Sequence, residues 1–138
     1  MKLRLLLANY AEIQNQVLYL SGVGWTEIGP GPSGFAIAAV IDVPWDETNR
    51  RHRCEVTIVD ADGHAFMVPT PEGLQPLVVQ AEFEVGRPPG ATAGRWFTVP
   101  IAANIAQIDF PPNVSYIARA TLNGEFQDEV HFVSRPRR

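Results

Sequence analysis

The sequence has one cysteine, Cys54, among its 138 residues. A single thiol cannot close a disulfide within the chain, so the fold must depend on its hydrophobic core. No apolar run approaches the ~20 residues that a membrane-spanning helix needs. The apolar run at the N-terminus breaks after Ala8, which is shorter than the core of an export signal. We therefore expect a protein that stays in the cytoplasm, or in a virion assembled there.

The chain also has no excess of positive charge. The chain has 11 Lys and Arg residues against 15 Asp and Glu, a formal net charge of −4, which disfavours a nucleic-acid partner held by bulk electrostatics. Basic residues still cluster in two segments, at Arg50, Arg51 and Arg53, and in a basic tail, 133–138, with Arg135, Arg137 and Arg138. We interpret both clusters as solvated segments, the alternative being an electrostatic contact with an acidic neighbour.

Motifs of catalysis and of cofactor binding are absent. The chain has no Gly-x-Ser-x-Gly nucleophile elbow, and Gly31–Gly34 is interpreted as a loop. Glycine loops that cradle phosphate and dinucleotide fingerprints are missing as well. The adjacent acids Asp128 and Glu129 should point to opposite faces of a strand, so they cannot act on one bond. We expect no enzyme activity and no cofactor.

Two groups of residues have the side chains of metal ligands. Asp60–Gly63 resembles the start of a calcium loop, but the twelfth position counted from Asp60 is Pro71 instead of an acidic residue. His52, Cys54 and His64 could bind zinc if neighbouring strands brought them together. The alternative is a buried, inert thiol with two surface histidines. We predict that no metal is bound.

The residues that are present predict a β protein. The 12 prolines and 11 glycines are spread along the chain, which is typical of short strands joined by turns. Apolar and polar residues alternate most clearly in the second half. The pattern predicts a single all-β domain, 1–138, an antiparallel Ig-like β-sandwich of about 7–9 strands. The predicted strands are Leu3–Ala8, Val17–Leu20, Gly24–Ile28, Phe35–Val43, Arg53–Asp60, Leu77–Val85, Phe97–Ala103, Val114–Leu122 and Glu125–Val133.

The turn between the last two predicted strands is Asn123-Gly124. This pair suits a type I′ turn, in which both central residues have positive φ. In the strand that follows, alternation predicts that Phe126, Val130 and Phe132 share one face. The segment Pro44–Asn49 is predicted to form one helical turn, capped by its acidic and threonine side chains.

The strand Phe35–Val43 is apolar on both faces until Asp42. A strand of an isolated antiparallel sandwich should have one polar face, so either loops of the same chain or another subunit covers it. If another subunit does, Ala38 and Val40 are partner contacts.

The three tryptophans are Trp25, Trp45 and Trp96. Trp25 is expected to pack between the sheets. Trp45 and Trp96 fall on predicted loops, where exposed aromatic side chains often anchor partners. The alternative is that these two side chains plug the ends of the sandwich.

Several motifs resemble an uncharacterised family of small bacterial and phage-encoded Ig-like β-sandwich proteins. The resemblance rests on turns and core positions, and it spans nearly the whole chain. The motifs are Leu6–Glu12, Leu18–Trp25, Gly86–Gly90, Val99–Ile101, the strand with Tyr116 and the turn Asn123–Glu125. The resemblance implies a fold and a cytoplasmic or virion setting, but no activity. Asn113–Ala118 is also similar to the tyrosine-corner segment of immunoglobulin-like domains, in which a tyrosine hydroxyl bonds back to the preceding loop.

These observations lead to two hypotheses about function. The first is a non-enzymatic structural or interaction module that forms part of a larger assembly, most specifically a phage virion accessory protein in capsid decoration or another minor structural role. Its partners would be capsid or other assembly subunits, or further copies of itself. The alternative is a bacterial cytoplasmic binding module that recognises a small ligand or a protein through its loops.

Overall fold

Twelve strands make up most of residues 1–137, the part of the chain that the computed structural model describes. A short 3-10 helix at Trp45–Glu47 accompanies them, and these residues form no α-helix. The strands are β1 (Lys2–Ala8), β2 (Tyr10–Gln14), β3 (Val17–Ser21), β4 (Glu27–Ile28), β5 (Gly31–Val43), β6 (Arg51–Asp60), β7 (Met67–Thr70), β8 (Gly73–Pro76), β9 (Val78–Glu84), β10 (Phe97–Phe110), β11 (Ser115–Leu122) and β12 (Glu125–Ser134).

The strands form two larger sheets and two separate hairpins. One sheet has the order β1-β5-β10 and the other β4-β12-β11-β6-β9, while β2 pairs with β3 and β7 with β8. All pairs are antiparallel except the two-residue contact of β4 with β12. One of the sheets is curled into a half-barrel. The prediction of an all-β, largely antiparallel fold is confirmed, with more strands than expected.

A single large core lies between the two larger sheets. Alternate residues of β1 and β5 point into it from one side, and alternate residues of β6 and β11 from the other. Removing apolar surface from water supplies roughly 25 cal/mol per Å², which is the main force that holds the sheets together. The buried members of this core are Leu3, Leu5, Leu7, Ile28, Phe35, Ile37, Ala39, Ile41, Val43, Cys54, Val56, Ile58, Phe110, Tyr116, Ala118, Ala120, Leu122 and Phe132.

Phe110 is the centre of an aromatic cluster at one end of this core. Its ring is fully buried, with ring centroids 5.1 Å from Phe66, 5.9 Å from Tyr116, 6.0 Å from Phe35 and 6.4 Å from Phe132. Stacked and edge-to-face pairs of this kind contribute stability beyond the area they bury.

Tyr116 differs from the predicted tyrosine corner. Its ring is buried against Phe66 and Phe132, but its hydroxyl makes no hydrogen bond with residues 1–137. Burial raises the pKa of this hydroxyl, and the nearby Asp60 carboxylate adds to the effect. The residue is therefore a member of the aromatic cluster instead of a link to the preceding loop.

The outer face of β5 is covered by the β2–β3 hairpin of the same chain. Ala36 and Ala38 are completely buried there, and together with Ala8 and Ala11 they form a second, smaller core. Leu18 and Leu20 of β3 pack against these alanines. Of the two predicted alternatives, coverage by the chain itself therefore holds at Ala38, and this residue is not exposed to a partner.

Asn104 of β10 holds the hairpin in place. Its side-chain oxygen accepts a hydrogen bond from the Ala11 amide at 3.0 Å, and its side-chain nitrogen donates to the Ala11 carbonyl at 2.8 Å. One amide side chain thus satisfies both backbone groups of Ala11, as a neighbouring strand would. The hairpin is attached to the sheet by polar bonds as well as by apolar contact.

The turn between β11 and β12 has the predicted conformation. Asn123 has φ 53° and Gly124 has φ 84°. The pairing then shifts by one residue after Thr121, which lies opposite Phe126, while Ala120 lies opposite Asp128. The additional residue reverses the alternation, so Phe126 points outward and is 59% exposed. The prediction that Phe126 shares a face with Val130 and Phe132 is wrong for this reason.

Replacing Gly124 by valine is expected to lower the free energy of unfolding by about 1–2 kcal/mol, because a side chain with a branched Cβ is strained at positive φ. The urea midpoint would measure the loss. The matched control is Gly86→Val, since Gly86 is exposed, has no positive φ and has open space around its Cβ position. An equal midpoint for both variants would mean that the turn conformation does not contribute to stability.

Three further predictions need correction at the ends of strands. Gly31–Gly34 begins β5 and is not a loop, and only Glu27–Ile28 of the predicted strand Gly24–Ile28 is extended in a sheet. The predicted basic tail 133–138 is partly ordered, since Val133 and Ser134 belong to β12. The Arg135 amide donates to the Ile28 carbonyl, and its Nε donates to the Gly29 carbonyl at 2.7 Å. Arg138 lies outside the described residues.

Candidate functional site

Trp45 and Trp96, the two tryptophans predicted as partner contacts, lie at the same end of the molecule. Trp45 belongs to the short 3-10 helix, which confirms the predicted helical turn, but no side chain caps the N-terminus of that helix, contrary to the prediction. The Trp45 ring stacks on Phe97 with a centroid distance of 6.3 Å. Trp96 precedes β10 and is 56% exposed. Phe97, the first residue of β10, therefore stacks on Trp45 and directly follows Trp96 in the sequence.

The guanidinium group of Arg87 packs on the face of the Trp45 ring. Its guanidinium carbon lies 4.1 Å from the ring centroid, a cation–π contact. Nε donates to the Thr48 hydroxyl at 2.7 Å, and Nη2 donates to the Trp45 carbonyl at 2.9 Å. The Thr48 hydroxyl donates in turn to the same carbonyl at 2.6 Å. These bonds fix the arginine and the indole in one arrangement, so this part of the surface is ordered before any partner arrives.

A cleft of about 810 Å³ opens beside this arrangement. Arg95 lies at the cleft with its guanidinium carbon 4.9 Å from the Phe97 ring centroid, and it makes no ion pair with residues 1–137. We call this site the Trp96 cleft. It is lined by Gln16, Glu84, Val85, Gly86, Arg87, Pro88, Arg95, Trp96, Phe97, Thr98, Val99 and Pro100.

The Trp96 cleft combines aromatic, apolar and charged groups. Its charged side chains are Arg87 and Arg95 with Glu84, and its lining contains no cysteine, histidine or serine. An arrangement of this kind can bind through ring stacking, apolar burial and bidentate contacts of an arginine. The Thr98 hydroxyl, also in the lining, donates a hydrogen bond to the Asp42 carboxylate at 3.3 Å.

Val40, the fourth predicted partner contact, lies close to this cleft. It is half-buried on the outer face of β5 and pairs with Pro100 of β10, which lines the cleft. The structure thus brings Val40 together with the cleft and places Ala38 under the hairpin. Arg87 belongs to the family motif Gly86–Gly90, but neither it nor Arg95 is predicted as a contact. The signal for this site was the pair of tryptophans, of which Trp96 is exposed and Trp45 half-buried.

The three candidate zinc ligands are not brought together. His52 is only 3% exposed, so the expectation of two surface histidines is wrong for this residue. Its Nδ1 accepts a hydrogen bond from the Asn123 side chain at 3.0 Å, and its Nε2 donates to the Glu47 carbonyl at 2.8 Å. Cys54 is buried, and this burial, with a smaller contribution from the charge of Glu55, raises the pKa of its thiol to about 11. His64 lies on an exposed turn.

The acidic turn after β6 brings three potential metal ligands close together. The ligand atoms of Asp60, Asp62 and His64 lie within 4.8 Å of one another. One carboxylate oxygen of Asp60 already accepts the amides of Asp62 and His64, each at 2.9 Å. The hydrogen bond from the His64 amide is the main cause that lowers the Asp60 pKa. This is the geometry of a turn closed by an aspartate side chain.

The basic cluster near residue 50 faces acidic residues of the same chain. Arg50 lies 3.6 Å from Glu47, Arg51 lies 3.7 Å from Glu82, and Arg53 lies 3.5 Å from Glu55. These pairs are exposed to solvent, so each contributes little to stability. The three arginine side chains are therefore solvated, as interpreted from the sequence, although Arg51 and Arg53 belong to β6 and not to a loop.

The adjacent acids of β12 are separated as predicted. Asp128 accepts a hydrogen bond from the Leu5 amide at 2.8 Å, whereas Glu129 pairs with Arg119 at 3.2 Å on the outer face. Hydrogen bonds from His131 and Arg119 lower the Glu129 pKa. Each carboxylate therefore has a structural partner of its own, on a different side of the strand.

The fold and the cleft together define a class of protein: a small all-β domain with an ordered aromatic and arginine surface at one end. Within that class, the chain belongs to the family of unknown function DUF6941, whose model matches residues 3–133. The expected membership of an uncharacterised family is confirmed by this match. No curated protein and no solved structure matches the chain. Among residues 1–137, no helix has the length and apolar character needed to cross a membrane.

Proposed function

We propose that this protein is a non-enzymatic interaction module that acts as a part of a larger assembly, in the form of a phage virion accessory protein. The observation that supports the proposal is the exposed Trp96 beside the fixed Arg87 and Trp45. Tryptophan and arginine are the residues most enriched at the energetic centres of protein interfaces. A partner subunit that covers Trp96 would remove a large apolar area from water.

The order of the site favours a protein partner in a repeated contact. Because Arg87 is already bonded to Thr48 and Trp45, binding does not have to immobilise its long side chain. The two facing sheets support an immunoglobulin-like sandwich, and such domains commonly bind through loops at one end. In an assembly, many weak contacts of this kind act together.

The size of the cleft favours a second candidate function. Its volume of about 810 Å³ lies within the range of pockets that bind small molecules. A bacterial cytoplasmic module that binds a small ligand between Arg95, Trp96 and Phe97 would use the same site. The two functions differ in what contacts Trp96, and this difference can be tested.

Replacing Trp96 by alanine is expected to weaken binding to the assembly roughly thirtyfold, the factor that about 2 kcal/mol represents, while leaving the fold intact. Binding would be measured by sedimentation with assembled particles from the native host. The matched control is Phe126→Ala, because Phe126 is equally exposed, at 59%, on another part of the chain.

A photoreactive amino acid at position 96 identifies the contacting molecule. The proposal expects adducts with one recurring subunit of the particle, and none from position 126. If both alanine variants sediment with the particles as the parent protein does, and position 96 yields no protein adduct, the proposed assembly role is wrong. A small molecule that protects position 96 from solvent would then support the second function.

A further inference from the structure

Most edges of the two larger sheets are blocked against further strands. At β1, the amides of Leu3 and Leu5 donate to the side chains of Gln127 and Asp128, at 3.2 and 2.8 Å. The β10 edge contains Pro100, and its pairing with β5 is irregular between residues 105 and 108. The edge strand β4 has only two residues. Side-chain caps, proline, irregularities and short strands are the usual devices that protect a sheet edge.

The strand β9 has none of these devices. It pairs with β6 in unbroken register from Thr57 opposite Val78 to Arg51 opposite Glu84, and it contains no proline. It is the last strand of its sheet, and within residues 1–137 no backbone hydrogen bond joins its other edge to a neighbour. A regular edge of seven residues, about 23 Å long at 3.3 Å per residue, is therefore available for pairing.

β9 and β10 belong to different sheets and do not pair, and we call the apolar space between them the gap. The inward side chains Val79 and Phe83 of β9 are only half-buried, and so are Val99 and Ile101 of β10. By contrast, Ile41 of the central strand β5 is completely buried. The Trp96 cleft opens at one end of the gap, and a second cleft of about 630 Å³, lined by Leu77 and Ile105, opens at the other.

The outward face of β9 specifies the charge of an added strand. Gln80, Glu82 and Glu84 are exposed there. Glu82 has a solvent-exposed ion pair with Arg51. Glu84 lies opposite Arg51 in the pairing with β6 but makes no ion pair within residues 1–137. Opposite charges stabilise cross-strand pairs and like charges destabilise them. A second copy of β9 would bring two more carboxylates to this face, whereas basic side chains would pair with those present.

We propose that β9 binds an extended segment of a partner protein in which apolar residues alternate with basic ones. The segment adds to the sheet as a further strand, with its apolar side chains in the gap and its basic side chains opposite Glu82 and Glu84. Strand addition derives affinity from backbone hydrogen bonds and specificity from alternate side chains. This inference rests on the proposed function and deepens it by naming the chemistry of the partner.

The test uses a capped octapeptide of alternating valine and lysine as the probe. Binding is expected to slow hydrogen exchange in Val78–Glu84 while leaving the amides of Leu3 and Leu5 unchanged. Two further peptides carry N-methyl groups on one or the other set of alternate amides. At least one of them should lose binding, because methylation removes the donors that pair with β9. If both methylated peptides bind as well as the parent peptide, strand addition is overturned.

Charge reversal provides the matched protein variant. The double substitution Glu82→Lys and Glu84→Lys changes two exposed side chains and should leave the circular dichroism spectrum unchanged. The variant is expected to bind the valine–lysine peptide about tenfold more weakly than the parent protein does, and to bind a valine–glutamate peptide. Equal binding of the lysine peptide to both proteins would contradict the assigned charge. A dimer of the parent protein that this variant dissociates would show that a second copy occupies the edge instead.

The two proposals fail separately. If the peptide does not protect β9 but position 96 forms adducts with a particle subunit, the assembly role stands and strand addition is wrong. If the peptide binds β9 and position 96 forms no adduct, the edge is a binding site but the Trp96 cleft is not the contact with an assembly.

Discussion

An Ala38→Arg variant is expected to be largely unfolded under conditions in which the parent protein is native. Ala38 of β5 has no exposed surface, and its side chain packs under the β2–β3 hairpin against Leu18 and Leu20. An arginine there would be a buried charge without a partner, which costs about 3–5 kcal/mol or more, a large part of the 5–15 kcal/mol of a typical domain. Urea denaturation followed by tryptophan fluorescence would measure the loss.

The matched control for this variant is Ala61→Arg. Ala61 lies on the exposed turn after β6, where an arginine side chain extends into solvent. This substitution should shift the free energy of unfolding by less than about 0.5 kcal/mol. A folded Ala38→Arg monomer with an unchanged urea midpoint would contradict the hairpin cover, because the face would then be open to solvent.

A Phe110→Ala variant is expected to lose about 3–5 kcal/mol of stability. The side chain is completely buried and is in ring contact with Phe35, Phe66, Tyr116 and Phe132, so its removal leaves a cavity that these rings cannot easily fill. Differential scanning calorimetry should show a lower melting temperature, and urea denaturation should show a lower midpoint.

Phe126→Ala provides the comparison for Phe110→Ala, since it makes the same chemical change at a residue that is 59% exposed. Its melting temperature should stay close to that of the parent protein. If the two variants were equally stable, the aromatic cluster would not be a principal element of the core, and the outward position of Phe126 after the β12 irregularity would also be in doubt.

The strands that could be predicted are those in which burial and exposure alternate regularly. In β6, Cys54, Val56 and Ile58 are buried while their neighbours are not, and the sequence shows the same alternation. The hairpin partner β2 was missed for two physical reasons. It turns at Asn15 and Gln16, which have φ 50° and 64° without a glycine, and it faces the core chiefly with the small Ala11.

The candidate site could be predicted only in part. The tryptophans on predicted loops pointed to the end of the molecule where the Trp96 cleft lies, but the contact between Arg87 and Trp45 joins residues 42 positions apart. No local pattern encodes a contact at that separation. The position of Phe126 was mistaken because one additional residue in β12 reverses the alternation, and a sequence does not show where pairing shifts.

Four alanines at the contact between the β2–β3 hairpin and the sheet limit which substitutions this protein can accept. Ala8, Ala11, Ala36 and Ala38 meet there with almost no exposed surface, so the spacing between hairpin and sheet is set by methyl groups. A larger residue at any of these positions would have to lift the hairpin or distort β5, because packed interiors tolerate added volume poorly. Conversely, a relative that lost the hairpin would need polar residues at the positions of Ala36 and Ala38. The small size of these four side chains and the presence of the β2–β3 hairpin, which forms a third layer outside the two sheets, should therefore change together in evolution.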